Sequence, residues 1–207
     1  MNLIDMSRTT KRRLRVLSKR RVIYPTAISL CFPLDNWVVN GSQFLQEETF
    51  DGDYWGFHLG EDCNTKEETP VFAIGSGLVV YSGCQITKDP HKFSKEDGGK
   101  RSWGKILIIA HRMPGGRRFF SIYGHLRDWS VVWGDIVEKG QFIGLVGRGW
   151  SEDNGWWEHP HLHLGIYTGP WDGQLLPGYW KEEMNKFVGP DYWESPTCFV
   201  KAYEGLL

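Results

Sequence analysis

Residues 104–126 read GKILIIAHRMPGGRRFFSIYGHL, which is two apolar runs separated by a proline and two glycines. The first run is continuous and rich in isoleucine, as in a strand that is buried on both faces. The MPGG segment breaks this run, because proline and glycine are strong turn signals. The second run then predicts the return strand. The stretch as a whole predicts a buried pair of antiparallel strands.

Further short strands are predicted on both sides of this pair. TPVFAIGSGLVVYSG (69–83) reads as two strands around a Gly-Ser-Gly turn, and GDIVEKGQFIGLVG (134–147) alternates apolar and polar residues with glycines at its corners. HPHLHLGIY (159–167) alternates in the same way. No stretch shows sustained helical periodicity. We therefore predict a mainly β protein, with an antiparallel sheet and with irregular segments at 26–66 and 168–197.

Length and composition predict one globular domain. The chain has 207 residues, of which 41% are hydrophobic and 24% charged, and 25 glycines favour a fold with many tight turns. We place the domain at 26–203, with its core motifs at 50–167, an exposed polar loop at 86–102 and a closing segment at 168–203. The 11 tryptophans either pack in the core or form flat surfaces around a groove for sugar or peptide. Examples are Trp55, Trp103, Trp129, Trp156, Trp157 and Trp193.

Charge is unevenly distributed along the chain. Residues 1–25 hold eight basic residues and one acid, a balance of +7, and since the whole chain carries −1, the remainder carries −8. We predict a flexible basic arm on an acidic body. An acidic body argues against nucleic acid as the main partner. No apolar run is long enough to span a membrane, and no convincing export signal follows the basic start.

Four cysteines, Cys31, Cys63, Cys84 and Cys198, are scattered along the chain and form no CxxC pair. This spacing does not describe a disulfide scaffold, although one or two disulfides stay open. Cys63 directly follows Asp62, and in an extended segment it would face the opposite side, so we interpret it as structural.

Two histidines, His161 and His163, stand two apart in an alternating strand segment. Side chains in a strand alternate between faces, so both imidazoles project to one side, while Leu162 and Leu164 project to the core. Such a pair is a good platform for metal binding or catalysis. A metal site of the cupin type would need a glutamate separated from His163 by three or four residues, where Tyr167 and Thr168 stand instead. The HExxH zinc motif is also absent from the sequence.

A second setting is His58-Leu-Gly-Glu-Asp62, in which a histidine and an aspartate can converge on one ion if the glycine lets the chain bend. A catalytic zinc needs three protein ligands and an open position for water. His58, Asp62 and one histidine of the HxH pair would supply them. Together with His125, in the YGHL segment, the remaining histidine could move a proton and hold a developing oxyanion.

These motifs resemble the lysostaphin-type (LytM-like) zinc endopeptidases, which cleave peptide bonds in bacterial murein. The matching elements, in order, are HLGED, TPVFAIGSGLVVYSG, WGKILIIAH, YGHL, GDIVEKGQFIGLVG and HLHLGIY, and a weaker echo is PDYWESPTCFVKAY (190–203). The resemblance implies one zinc held by His58, Asp62 and His163, with His125 and His161 as catalytic histidines. It also implies a β-sheet groove or barrel of the duplicated hybrid motif type, a last strand within 190–203, and a location in the cell envelope or outside the cell.

Some residues near these motifs have a simpler interpretation. We expect His111 to be a buried, hydrogen-bonded histidine, and Glu61 to be a solvated or supporting residue instead of the catalytic base. Two other functions stay open. One is a catalytically silent relative that binds cell wall or a partner enzyme. The other is a carrier domain of the sugar phosphotransferase system, which predicts a phosphorylated histidine and no need for zinc; the HLH strand favours the peptidase.

Overall fold

Two antiparallel sheets make up the fold in the computed structural model, which describes residues 24–50, 52–85, 101–182 and 189–205. Nearly all of the predicted basic arm and most of the predicted loop at 86–102 lie outside the described residues. The larger sheet has nine strands: β3 (Glu61–Asn64), β4 (Pro70–Phe72), β5 (Gly77–Gln85), β6 (Gly104–Arg112), β7 (Arg118–Trp129), β8 (Ile136–Val137), β9 (Phe142–Val146), β10 (His161–Tyr167) and β12 (Trp193–Glu194). The smaller sheet has three: β1 (Glu47–Phe50), β2 (Asp53–His58) and β11 (Tyr179–Trp180).

The larger sheet is open, and its strands run in the order β12-β10-β7-β6-β5-β8, with β3 beside β10 and β9 joining β4 to β7. The predicted central pair is β6 and β7, which are hydrogen-bonded to each other. Leu107 and Ile109 face one core cluster, whereas Ile106 and Ile108 face a second cluster on the other side. Both faces of β6 are therefore buried, which explains its continuous apolar run.

Three strands occupy the segment 26–66 that we expected to be irregular. The hairpin of β1 and β2 pairs Phe50 with Asp53, and Gly52 in its turn has φ of 80°. Asp-Gly at 51–52 is a strong two-residue hairpin signal, and it was the available indication of this element. β11 also lies in a segment predicted to be irregular, and it pairs with β2.

The predicted last strand within 190–203 is present as the two-residue β12, but most of this segment is helix, which was not predicted. A 3-10 turn, Pro190–Tyr192, and the two-residue β12 lead into helix α1 (Pro196–Tyr203). Ser195 caps the helix, because its side chain accepts a hydrogen bond from the Cys198 N–H, and Pro196 suits the first helical turn. Phe199 and Val200 pack into the core. All four cysteines are free. Among the described residues, no helix has the length and apolar character needed to cross a membrane.

His111 is buried in the core, as predicted, and belongs to a chain of hydrogen bonds. Its Nδ1 lies 2.9 Å from the Ser76 carbonyl and its Nε2 lies 2.7 Å from the Ser121 hydroxyl. Nδ1 must carry the proton, since a carbonyl can only accept, and Nε2 therefore accepts from Ser121. The Ser121 and Tyr123 hydroxyls are 3.1 Å apart, and the Ile74 N–H donates to Tyr123. Burial lowers the pKa of His111 to about 4.

The folded protein is expected to lose stability as the pH falls, because His111 must stay neutral in the fold. In the unfolded chain, histidine takes up its proton near pH 6.5, whereas the folded His111 takes it up only near pH 4. The contribution is therefore complete above pH 6.5, and roughly 3 kcal/mol is lost between these values. Urea unfolding across this range should show a flatter pH dependence in His111→Gln. An unchanged pH dependence in that variant would show that His111 does not cause the loss of stability.

Candidate metal centre and catalytic cavity

A cavity of about 500 Å³ lies where residues of the two sheets meet. The larger sheet contributes Asp62, His125, His161 and His163 to its lining, and the smaller sheet contributes Trp55 and Tyr179. The four histidines and the aspartate predicted from the sequence are therefore brought to one region, since His58 packs against His163 with ring centroids 4.7 Å apart.

Sheet register places two of the predicted ligands side by side. His163 on β10 is paired directly with Asp62 on the neighbouring strand β3, so both side chains point to the same face. Leu162 and Leu164 face the core, as the alternation predicted. His58 ends β2 and reaches the same point from the smaller sheet, with its Nδ1 3.2 Å from the Gln43 carbonyl.

Three possible ligand atoms form a small triangle. His58 Nε2 lies 2.9 Å from His163 Nδ1 and 3.4 Å from Asp62 Oδ1, and the last two atoms are 3.1 Å apart. Donors about 2.0–2.1 Å from a tetrahedral zinc are separated by about 3.3 Å, which matches this spacing. Asp62 Oδ1 is buried, and no hydrogen bond of good geometry from the described residues satisfies it. The residues present therefore fit a bound cation.

The protonation of these groups also suits a metal. Burial acts to raise the pKa of Asp62, but the neighbouring His58 and His163 outweigh it and hold the pKa of this carboxyl well below its usual range. Burial lowers the pKa of His163 to about 4, so its imidazole is neutral. Burial acts to lower the pKa of His58 too, but the Asp62 carboxylate raises it overall. The centre thus offers an anionic oxygen and imidazole nitrogens, the ligand types that zinc takes.

His125 and His161 stand together beside this triangle, with ring centroids 4.3 Å apart. His125 Nδ1 lies 3.2 Å from the Asn154 carbonyl, and His161 Nδ1 lies 2.8 Å from the His159 carbonyl. Each Nδ1 therefore carries a proton, and each Nε2 is the nitrogen left for the cavity. Burial, reinforced by His161, lowers the pKa of His125 well below its usual value. His125 also has φ of 63°, a strained backbone that is common at functional sites.

The remaining motif residues lie apart from this centre. Glu61 is buried and not solvated, and its carboxylate accepts hydrogen bonds from the Ser195 hydroxyl and from the Thr197 N–H, which ties β3 to the start of α1. It therefore supports the strand that carries Asp62. Cys63 faces the core, as expected. His159 shares the parity of the HLH pair but is largely exposed.

Aromatic residues also build the site, and they include tryptophans named from the sequence and Tyr179, which the sequence did not single out. Trp103 packs edge to face on His163 and stacks on His125, with ring centroids 4.6 Å and 5.8 Å away. Tyr179 packs against His58 at 5.1 Å. Both expected roles of tryptophan therefore occur. Trp103 and Trp193 are buried in the core, while Trp55 and Trp157 pack against each other in the cavity wall.

Gly60 is needed for space and not for the bend that the sequence suggested. A Cβ atom at this position would lie 2.3 Å from His163 Nε2 and 2.5 Å from the Leu164 carbonyl oxygen. The ring of His163 therefore rests directly on the glycine.

Gly60→Ala is expected to displace the His163 ring and to weaken zinc binding about 10- to 100-fold, as disturbed support of a ligand does. Competition with a chelating dye would measure the affinity. Gly115→Ala is the matched control, because a Cβ there meets nothing within 4 Å. Zinc binding by Gly60→Ala that is as tight as in the parent would show that the ring does not depend on this space.

The fold and this centre define a mainly β protein with a buried His-Asp-His group that could hold a metal ion, beside two further histidines. The sequence profile of peptidase family M23 matches residues 56–174, and the chain belongs to this family. The match spans the β2–β10 region that holds all five predicted site residues.

Individual relatives agree with this membership. Lysostaphin of Staphylococcus simulans is 32% identical over 111 residues, which are 53% of this chain and 18% of that protein. Glycyl-glycine endopeptidase ALE-1 of Staphylococcus capitis is 31% identical over 111 residues, or 53% of this chain and 24% of that protein. The matched region thus spans less than a quarter of either relative. The solved catalytic domain of lysostaphin from Staphylococcus simulans shares the fold, with a TM-score of 0.51 and 22% identity over 78% of this chain and 90% of that one.

Proposed function

We propose that this chain is a zinc-dependent endopeptidase that hydrolyses peptide bonds of bacterial peptidoglycan. His58, Asp62 and His163 would hold one zinc, and His125 and His161 would act as catalytic residues. The observation that carries the proposal is the convergence of three ligand atoms within 3.4 Å of one another, beside two imidazoles in one cavity. A silent relative that had lost its ligands or its histidines would not retain this set.

Zinc held by His58, Asp62 and His163 would supply a Lewis acid for activating water and polarising the scissile carbonyl. Burial and His161 keep His125 neutral, so its Nε2 can accept a proton and later deliver it to the leaving amine. His161 Nε2 opens on the same cavity, and in its protonated form it can donate to the developing oxyanion. The two rings can also exchange these roles, because both have Nδ1 fixed on a carbonyl.

Peptide is the substrate class that the family and the cavity support best. Leu175, Leu176 and Gly178 join the aromatic side chains in a mostly apolar lining, which would exclude bulk water from a bound peptide segment. The resemblance to the lysostaphin-type enzymes directs the proposal to the peptide part of peptidoglycan. A protein with this substrate would act in the cell envelope or outside the cell.

Digestion of purified peptidoglycan by zinc-loaded protein tests the proposal. We expect new amino termini to appear, and mass spectrometry of the released fragments would identify the bond that is cut. Zinc-loaded protein that sediments with the wall and releases no amines from wall preparations of different cross-link chemistry would support a silent binder instead. A phosphorylated histidine with no zinc requirement would support the carrier domain.

A further inference from the structure

We propose that Asn154 is a positioning residue that fixes the tautomers of both His125 and His161. The catalytic role of the two rings rests on the proposed function. Their positioning rests only on the contacts that Asn154 makes. Asn154 lies on the connection between β9 and β10 and is fully buried. It is remote in sequence from His125 and was not singled out by any motif.

The main chain of Asn154 holds the first imidazole. Its carbonyl oxygen lies 3.2 Å from His125 Nδ1 and accepts the proton of that nitrogen. The position of this carbonyl is fixed from both sides. The Lys105 N–H donates to the carbonyl of Asp153 at 3.0 Å, and the Ser102 N–H donates to that of Gly155 at 3.0 Å.

The side chain of Asn154 holds the second imidazole indirectly. Its amide nitrogen donates to the carbonyls of Trp157 and His159, each at 3.0 Å. The His159 carbonyl is also the acceptor for His161 Nδ1. Both lone pairs of that carbonyl are therefore engaged, one by Asn154 and one by the catalytic ring, which restricts where the ring can turn.

Asparagine suits this position because its amide group carries two protons, and each of them meets one carbonyl. Aspartate has nearly the same shape, but its acceptor oxygens would face two carbonyl oxygens in a buried site. Alanine would remove both donors and leave the main-chain carbonyl in place. Alanine therefore tests the side-chain contribution, which acts on His161, because the main-chain carbonyl that holds His125 is retained.

The tautomers can be observed directly by NMR on zinc-loaded protein with ¹⁵N-labelled histidine at pH 8, where the free imidazole is neutral. In the parent we expect both His125 and His161 to carry the proton on Nδ1. In Asn154→Ala the His161 signal should shift toward a mixture of tautomers, while that of His125 changes less. Asn154→Asp should disturb both rings.

Activity and zinc content complete the test. Both variants should retain the zinc content of the parent, with kcat lowered about 10- to 100-fold and KM little changed. Glu152→Gln is the matched control, since it exchanges acid and amide at an exposed position of the same connection. If Asn154→Asp fails to fold, Asn154→Ala alone still tests whether the Asn154 side chain positions His161.

Unchanged tautomers in Asn154→Ala would overturn the proposal, whatever the activity. Mixed tautomers together with the kcat of the parent would overturn the catalytic part of it. If the parent itself cleaves no peptidoglycan, the proposed function fails, and the tautomer comparison still shows whether Asn154 positions the two rings.

Discussion

Replacing His163 with alanine is expected to abolish zinc binding and to lower kcat/KM about 1,000-fold or more. His163 Nδ1 is one of the three atoms in the ligand triangle, and Asp62 lies directly opposite it in the sheet register. Without this ring two ligands remain, too few for a catalytic zinc, which needs three. A catalytic metal contributes several kcal/mol of transition-state stabilisation, and each 1.4 kcal/mol is about a tenfold change in rate.

Zinc content by mass spectrometry and wall cleavage should be measured together on this variant. His159→Ala is the matched control for metal binding, because His159 has the same strand parity but an exposed ring, and the substitution keeps its main-chain carbonyl. The control should retain its zinc. A His163→Ala protein with one tightly bound zinc would mean that the ligand set has been assigned wrongly.

Replacing either of the two imidazoles that we propose to be catalytic should separate chemistry from metal binding. His125→Ala and His161→Ala are each expected to keep zinc and to lose about 100- to 10,000-fold in kcat, because each removes a proton-transfer or oxyanion-stabilising group. Neither ring belongs to the triangle of His58, Asp62 and His163. The double variant should have a kcat only slightly below that of the less active single variant, since the two rings act as a unit.

Steady-state cleavage at saturating substrate, with zinc content measured on the same samples, checks this prediction. The contrast with His163→Ala is the informative comparison, because that variant should lose both properties together. Either single variant retaining the kcat of the parent would remove its histidine from the proposed mechanism. A variant that lost its zinc would instead make that histidine part of the metal centre.

The strands of the core could be predicted because their signals are local. Continuous isoleucines in β6 mark burial on both faces, and the alternation in His161-Leu-His163 assigns both imidazoles to one side without any tertiary information. The pairing of Asp62 with His163 is different, because register between β3 and β10 is set by the packed sheet. The sequence alone showed which residues could bind a metal. Their assignment to one metal site came from the resemblance to a family.

The features that sequence reasoning missed depend on contacts distant in the chain. β11 forms against β2 across more than 100 residues, and its Tyr179 completes the cavity wall. The sequence suggested that glycine at position 60 lets the chain bend. In the structure, glycine is required there because the ring of His163 leaves no space for a Cβ atom. Helix α1 was missed because it is short, although Ser195-Pro196 is a recognisable helix start.

Peptide cleavage is proposed to depend on a zinc held by His58, Asp62 and His163. The most direct measurement strips the purified protein with a chelator and restores zinc in steps, recording the rate of new amino termini released from peptidoglycan at each zinc content. Metal-free protein should release no amino termini, and the rate should rise to a plateau at about one zinc per chain. Cleavage at the full rate by metal-free protein, or release that is independent of added zinc, would contradict this dependence.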